Sequence, residues 1–120
     1  MLANTYISGE LGVNDFEATK SFYSKVFDWG WIERDTYAEA TVDGQFVCGV
    51  MLGDGFEKYG RPRTSDYWLT YFASGDVAAD VETATKLGAT VVLGATDNEL
   101  DQQYAILTDP QGAMFGLNTR

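Results

Sequence analysis

Histidine is absent from these 120 residues. Without imidazole a Ser–His or Cys–His nucleophile pair cannot form, and the commonest nitrogen ligand of zinc and its first-row neighbours is missing. Cysteine occurs once, at Cys48, so the chain holds no intramolecular disulfide. Basic residues are scarce: 8 Lys and Arg stand against 18 Asp and Glu, a formal charge of −10. That field repels phosphate backbones and anionic membrane surfaces, so neither nucleic acid nor a membrane is expected as a partner. No apolar run approaches the roughly 18 residues of a membrane span. The opening MLANTYISGELG has no basic segment followed by an apolar stretch, and the expectation is a soluble, cytoplasmic protein. The one local basic cluster, Arg61 and Arg63 beside Pro62 in KYGRPRTSD, reads as a solvated linker.

What the chain does have is globular: 45% of its residues are apolar and 14% aromatic, and its length suits one compact domain. NDFEATKSFYSKVF carries Phe16, Ala18, Phe22, Tyr23, Val26 and Phe27 near helical spacing, which predicts a helix over about 15–27 with one buried stripe. Asn14 or Asp15 caps it, and Asp15 and Glu17 suit the positive end of its dipole. GDVAADVETATKLGAT repeats the logic, with Asp76 at the start, Val77, Val81, Ala84 and Leu87 inward, and Gly88 as left-handed terminator. That is a second helix, about 76–87.

Short β-prone segments surround both helices. TYISGELGV precedes the first, and WGWIER, YAEATV and FVCGVML follow it. DYWLTYFAS precedes the second, and TVVLG, QYAILTD and MFGLN follow it. VDGQ and DPQG supply turns. Both halves therefore read β, α, β, β, β. Asp15 matches Asp76 and Ala18 matches Ala79 at an offset of 61, while CGV at 48–50 matches FGL at 115–117 at an offset of 67. The second half is longer by about one loop, in ATDNELDQQ. Two such units would bury one shared face. The expected organisation is a first module over about 1–55, a connector over about 53–66 rich in Gly and charge, and a second module over about 66–120.

Paired βαβββ units, a first helix ending FYSKVFDW and a final DPQGAMFGL together resemble the vicinal oxygen chelate superfamily, which includes glyoxalase I, bleomycin-resistance proteins and extradiol dioxygenases. The resemblance covers nearly the whole chain. It implies an α+β fold in which two tandem modules form an incomplete barrel, with a ligand on the concave face and two chains paired as a homodimer. Metal-dependent relatives place His, Gln or Glu ligands on the first strand of each unit and on the last. By the resemblance these positions fall near Ser8, Leu69, Gly49 or its neighbour Cys48, and Gly116. None makes a credible set of donors, so no metal and no other cofactor is expected.

Glycine inside a strand usually marks a bulge or a close approach. Set against the resemblance, Gly116 and its counterpart Gly49 stand where a ligand side chain would be, and they are expected to present bare backbone to a cavity with room for a bulky ligand. Tyr67, Leu69 and Tyr71 share one face of their strand while Trp68 and Phe72 face the other way, and Trp29 and Trp31 share a side of theirs. If Leu69 faces the cavity, Tyr67 and Tyr71 line it, with Met51 beside Gly49 and Met114 beside Gly116. The expected ligand-binding set is Ser8, Glu10, Trp31, Gly49, Met51, Tyr67, Leu69, Tyr71, Met114 and Gly116. Such walls suit flat, partly apolar ligands and cations.

Side-chain chemistry has few carriers left. Cys48 reads as a buried small hydrophobe. Of the carboxylates on or beside strands, Glu33, Glu39 and Asp66 read as solvated outer-face residues, and Glu10 is the candidate general base. The reading is a metal-independent small-molecule-binding protein that sequesters an aromatic or cationic compound such as an antibiotic. The alternatives are an enzyme of the same fold, a lyase, isomerase or hydrolase using Glu10 or a tyrosine hydroxyl, and an interaction module with no ligand.

Overall fold

A computed structural model describes residues 2–53, 66–97 and 102–119. The expected connector, with Arg61, Pro62 and Arg63, lies outside the described residues apart from its ends, and so does part of ATDNELDQQ. The elements are β1 (Tyr6–Val13), α1 (Phe16–Phe27), β2 (Gly30–Glu33), β3 (Tyr37–Val42), β4 (Gln45–Leu52), β5 (Tyr67–Ala73), α2 (Val77–Lys86), β6 (Thr90–Asp97), β7 (Gln103–Thr108) and β8 (Met114–Asn118). This is an α+β fold of two βαβββ modules. The neighbours run β2-β3-β4-β1 in the first and β5-β8-β7-β6 in the second.

Both helices begin where the sequence placed their caps. The Asp15 carboxylate accepts from the Ala18 backbone N–H at 3.0 Å, and Asp76 does the same for Ala79 at 3.0 Å. α2 ends into Gly88, whose φ of +103° is open to glycine. α1 instead ends on Asp28 in the left-handed region, φ 58°, with its N–H donating to the Ser24 carbonyl at 3.0 Å. The VDGQ turn has positive φ at both Asp43 and Gly44, the twist that a two-residue hairpin between β3 and β4 requires.

Two compact units emerge from the packing. One is Gly9–Trp68 and the other joins Met1–Ser8 to Leu69–Arg120. In the first, β1 runs parallel to β4 with Glu10 opposite Gly49 and Gly12 opposite Met51, and β3 runs antiparallel to β4 with Glu39 opposite Gly49. Its core is Leu11, Val13, Ala38 and Val50, closed by Phe16, Tyr23, Trp31 and Leu52. In the second, β5 runs parallel to β8 and β7 antiparallel to it. Val77, Ala105, Leu107 and Leu117 form its core, closed by Val81, Ala84, Ala89 and Phe115.

Two helical expectations need correction. No residue of α1 is fully buried, and of its predicted stripe only Phe16 and Tyr23 reach the core; Ala18, Phe22, Val26 and Phe27 are exposed. Twelve residues of helix on a four-stranded sheet bury a narrower arc than the apolar pattern offers. Leu87 points outward rather than inward, because it follows the last helical residue and the chain turns away at Gly88.

Candidate functional site

Strand residues alternate between faces, so the core of each unit fixes what lies on its other side. In the Gly9–Trp68 unit, Leu11, Val13, Val50 and Ala38 look toward α1. Glu10, Gly12, Gly49, Met51, Tyr37 and Glu39 therefore look away from it. The pairing sets them in rows. Glu10 and Glu39 flank Gly49 from its two neighbouring strands, and Met51 sits between Gly12 and Tyr37. Side chains one strand apart in a row are about 5 Å apart, which gives two carboxylates on either side of a residue that has none.

Gly49 is not bare. A Cβ there would collide with the Tyr37 hydroxyl, and its next contacts would be Cζ and Cε2 of the same ring at 2.8 and 2.9 Å. The Tyr37 ring thus lies over the β4 backbone with its hydroxyl at Gly49, between Glu10 and Glu39. Gly12 is covered in the same way by the ring of Tyr67, whose hydroxyl would stand 2.9 Å from a Cβ. Glu39 pairs with Arg34 at 2.9 Å and is three-quarters buried, so it is not the solvated outer-face residue expected of it. Glu33, exposed and paired with Lys20 at 3.2 Å, lies apart from this group. Asp66 accepts from the backbone and side-chain amides of Asn14 at 3.2 and 3.1 Å, a loop clasp.

The other unit uses the same device. With Ala105, Leu107 and Leu117 facing α2, Met114, Gly116 and Asn118 on β8 and Tyr104 and Ile106 on β7 face away. Tyr71 is opposite Gly116 in register, and its ring occupies the space a side chain at 116 would need. Leu69 and Tyr71 are buried, while Met114 is partly exposed. Ser8, half-buried, belongs to this unit as well. The empty space expected at Gly49 and Gly116 is thus filled from within the chain, by aromatic rings that cover strand glycines and make up the packing they lack.

Trp31 also departs from the expected set. Its indole N–H donates to the Ser24 hydroxyl at 2.7 Å, its ring meets Phe16 edge-on at 5.7 Å, and it packs into the core beneath α1. It occupies the opposite face from Gly49 and Met51. Tyr37, Gly12 and Glu39 were not in the expected set. The alternation of YAEATV held the signal for two of them, since Ala38 and Ala40 are the small residues that a buried face accepts and Tyr37 and Glu39 fall between.

Cys48 is buried. Burial, and then the negative charge of Glu10, push its thiol up to about 11. It is a neutral thiol at physiological pH, poorly suited to act as nucleophile or metal ligand. The positions that the resemblance assigns to metal ligands hold a hydroxyl at Ser8, an aliphatic chain at Leu69, glycine at 49 (or the neutral thiol of Cys48) and glycine at 116. That donor set does not fit a first-row transition metal. Among the described residues no group of three or more His, Cys, Asp or Glu side chains is placed to hold a metal ion, and no helix is long and apolar enough to cross a membrane.

The family model for the Glyoxalase/Bleomycin resistance protein/Dioxygenase superfamily matches residues 5–117. Proteins named "Putative glyoxylase CFP32" from Mycobacterium bovis and Mycobacterium tuberculosis are 31% identical over 114 residues, 90% of this chain and 42% of theirs. The chain therefore spans about two fifths of the length of these relatives. Among solved structures, Streptomyces coelicolor methylmalonyl-CoA epimerase bound to 2-nitronate-propionyl-CoA aligns with a TM-score of 0.61 at 18% identity, covering 97% of each chain. The Mn(II)-bound glyoxalase from Novosphingobium aromaticivorans aligns with a TM-score of 0.61 at 18% identity, covering 97% of this chain and 38% of that one. At such identities the likeness is one of fold.

Proposed function

The chain belongs to the Glyoxalase/Bleomycin resistance protein/Dioxygenase superfamily, and from that premise we propose that it binds a small organic molecule, without a resident metal, on the face of the Gly9–Trp68 unit turned away from α1. The observation that carries this reading is the row Glu10, Gly49, Glu39 with the Tyr37 hydroxyl over the glycine. The Tyr37 hydroxyl, which fills the space over Gly49, sets a polar group between two acidic side chains. Tyr37 and Tyr67, both half-buried, offer ring faces and hydroxyls. Ring faces and carboxylates both favour a flat ligand that carries an amine or another cationic group, and the net charge of −10 draws such a ligand in. Sequestration of an aromatic compound such as an antibiotic is a use consistent with that chemistry.

A second reading takes Glu10 as a general base. It stands on the same face as the Tyr37 hydroxyl, a donor that could stabilise the negative charge left when a proton is taken from carbon. Epimerases appear among the structural neighbours, and a carboxylate base of this kind would serve such chemistry without a metal.

One experiment separates the readings. Native mass spectrometry and calorimetry with a panel of aromatic amines and their neutral analogues would be run on the chain and on Glu10→Gln. Stoichiometric binding with the ligand recovered unchanged, preference for the amines, and affinity about tenfold weaker in Glu10→Gln is the expected result. Chemical conversion that stops in Glu10→Gln would establish the enzyme instead. A panel that nowhere binds would overturn both in favour of an interaction module.

A further inference from the structure

Strand pairing lays the face of the Gly9–Trp68 unit turned away from α1 out in two rows. Ile32, Glu39, Gly49 and Glu10 form one, across β2, β3, β4 and β1. Tyr37, Met51 and Gly12 form the next. Arg34 stands at the outer end of that second row, directly after β2, which is an edge strand. Its side chain reaches Glu39, on the same face as Ile32, while Glu33 between them turns the other way to meet Lys20 of α1. Among the described residues, the charged side chains of these rows are Glu10, Glu39 and Arg34.

The Arg34–Glu39 pair differs from an ordinary surface ion pair. An exposed pair contributes little, because water competes for both charges and two long side chains must be ordered. Lys86 and Glu82 on α2, 74% and 70% exposed, are of that kind. Glu39 is only 25% exposed and Arg34 56%, with Nη2 of the guanidinium 2.9 Å from Oε2 of the carboxylate. The arm is also anchored at its base. The Arg34 backbone N–H donates to the Tyr37 carbonyl at 2.8 Å, and the Thr36 carbonyl in the same turn accepts from the Leu52 N–H at 3.1 Å. A guanidinium carried on a fixed turn stays on Glu39 at a smaller entropic cost, and water screens the contact less than it screens an open pair.

We infer that Arg34 is a specificity-determining residue: it takes up the charge of Glu39, so that the face favours aromatic amines with a single positive charge over those with two. This rests on the proposed binding of a cationic ligand at the same face. Two carboxylates flanking Gly49 would by themselves favour a dication. With Arg34 on Glu39 the row offers one negative charge fewer. A second ammonium brought toward Glu39 meets the guanidinium, and like charges at that distance cost affinity. The single amine goes to Glu10, on the other side of Gly49 from Glu39, with the Tyr37 hydroxyl over the glycine.

Calorimetry with benzylamine and para-bis(aminomethyl)benzene, which share a ring and carry one and two ammonium groups at neutral pH, tests the inference. The quantity read is the ratio of the two dissociation constants. Arg34→Gln is expected to move that ratio toward the diamine by about tenfold. Arg34→Lys, which keeps the charge, and the double variant Arg34→Gln with Glu39→Gln, which removes both charges, should stay close to the unaltered chain. Lys86→Gln is the control: it makes the same change in net charge at an exposed pair on α2, in the other unit, and should leave the ratio where it was. A ratio that Arg34→Gln does not move, or that Lys86→Gln moves equally, would overturn the role of Arg34 and leave amine binding standing. Benzylamine bound by neither the chain nor any variant would overturn the binding reading and this inference with it.

Discussion

Tyr71 lies opposite Gly116 in the parallel pairing of β5 and β8, and its ring occupies the space in which a side chain at 116 would stand. Both residues are buried, so neither can give way to solvent. Gly116→Ala should therefore cost about 1–3 kcal/mol, the usual cost of overpacking, measured by urea denaturation. Combining it with Tyr71→Ala should be strongly non-additive, because the smaller side chain releases the clash. Additive losses would mean that the ring is not what confines position 116.

Gly49 meets the hydroxyl and the adjoining Cζ and Cε2 of half-buried Tyr37. Its conversion to alanine should displace the whole ring at a cost of about 1 kcal/mol, the low end of overpacking, because a half-buried ring can swing toward solvent where buried Tyr71 cannot. Binding should suffer more than folding. Tyr37→Phe, which keeps the ring and removes the hydroxyl, should change the denaturation midpoint little and weaken ligand binding about tenfold. Equal losses in both measurements would make Tyr37 a packing residue alone.

Cys48 gives a pH signature. Its thiol is raised to about 11 in the folded chain, from an ordinary value of 9.0. Between those values the unfolded chain ionises and the folded chain does not, so stability is fully present below pH 9 and falls as pH climbs toward 11. The loss is at most about 2.7 kcal/mol. Lysines and tyrosines titrate in the same range, so the quantity to measure is the difference between the chain and Cys48→Ala, which should lack this part of the decline. At pH 8 the thiol should also resist an aromatic disulfide reagent until the chain is unfolded.

Asp15 and Asp76 cap equivalent helices with equivalent bonds of 3.0 Å. Replacing either by alanine should cost about 1 kcal/mol. Thermal or urea unfolding of the two single variants should give similar shifts, and a much larger loss at one would show that its loop does more than cap.

The elements were legible because their signals are local. YAEATV and MFGLN are strands from end to end, Asp15 and Asp76 cap their helices, and VDGQ turns as its Asp-Gly pair requires. The faces of β5 were legible for the same reason: Tyr67, Leu69 and Tyr71 alternate with exposed Trp68 and Phe72. Burial of a helix face was less so. Phe16 and Phe22 look alike in a periodic pattern, and only the width of the sheet beneath α1 decides that the first is core and the second is surface.

The site itself divides along the same line. The sequence alone establishes that no imidazole and no second thiol exist here, because composition is indifferent to folding. It also determined which residues share a strand face, through a two-residue period written into the backbone. Folding settles what each residue meets across strands. Tyr37 over Gly49, Tyr67 over Gly12, Tyr71 over Gly116 and Trp31 under α1 all depend on register between segments far apart in the chain. Register is set by the summed fit of whole strands and not by any one residue, so a glycine that reads as an open place in the sequence turns out to be filled by a ring that arrives from another strand.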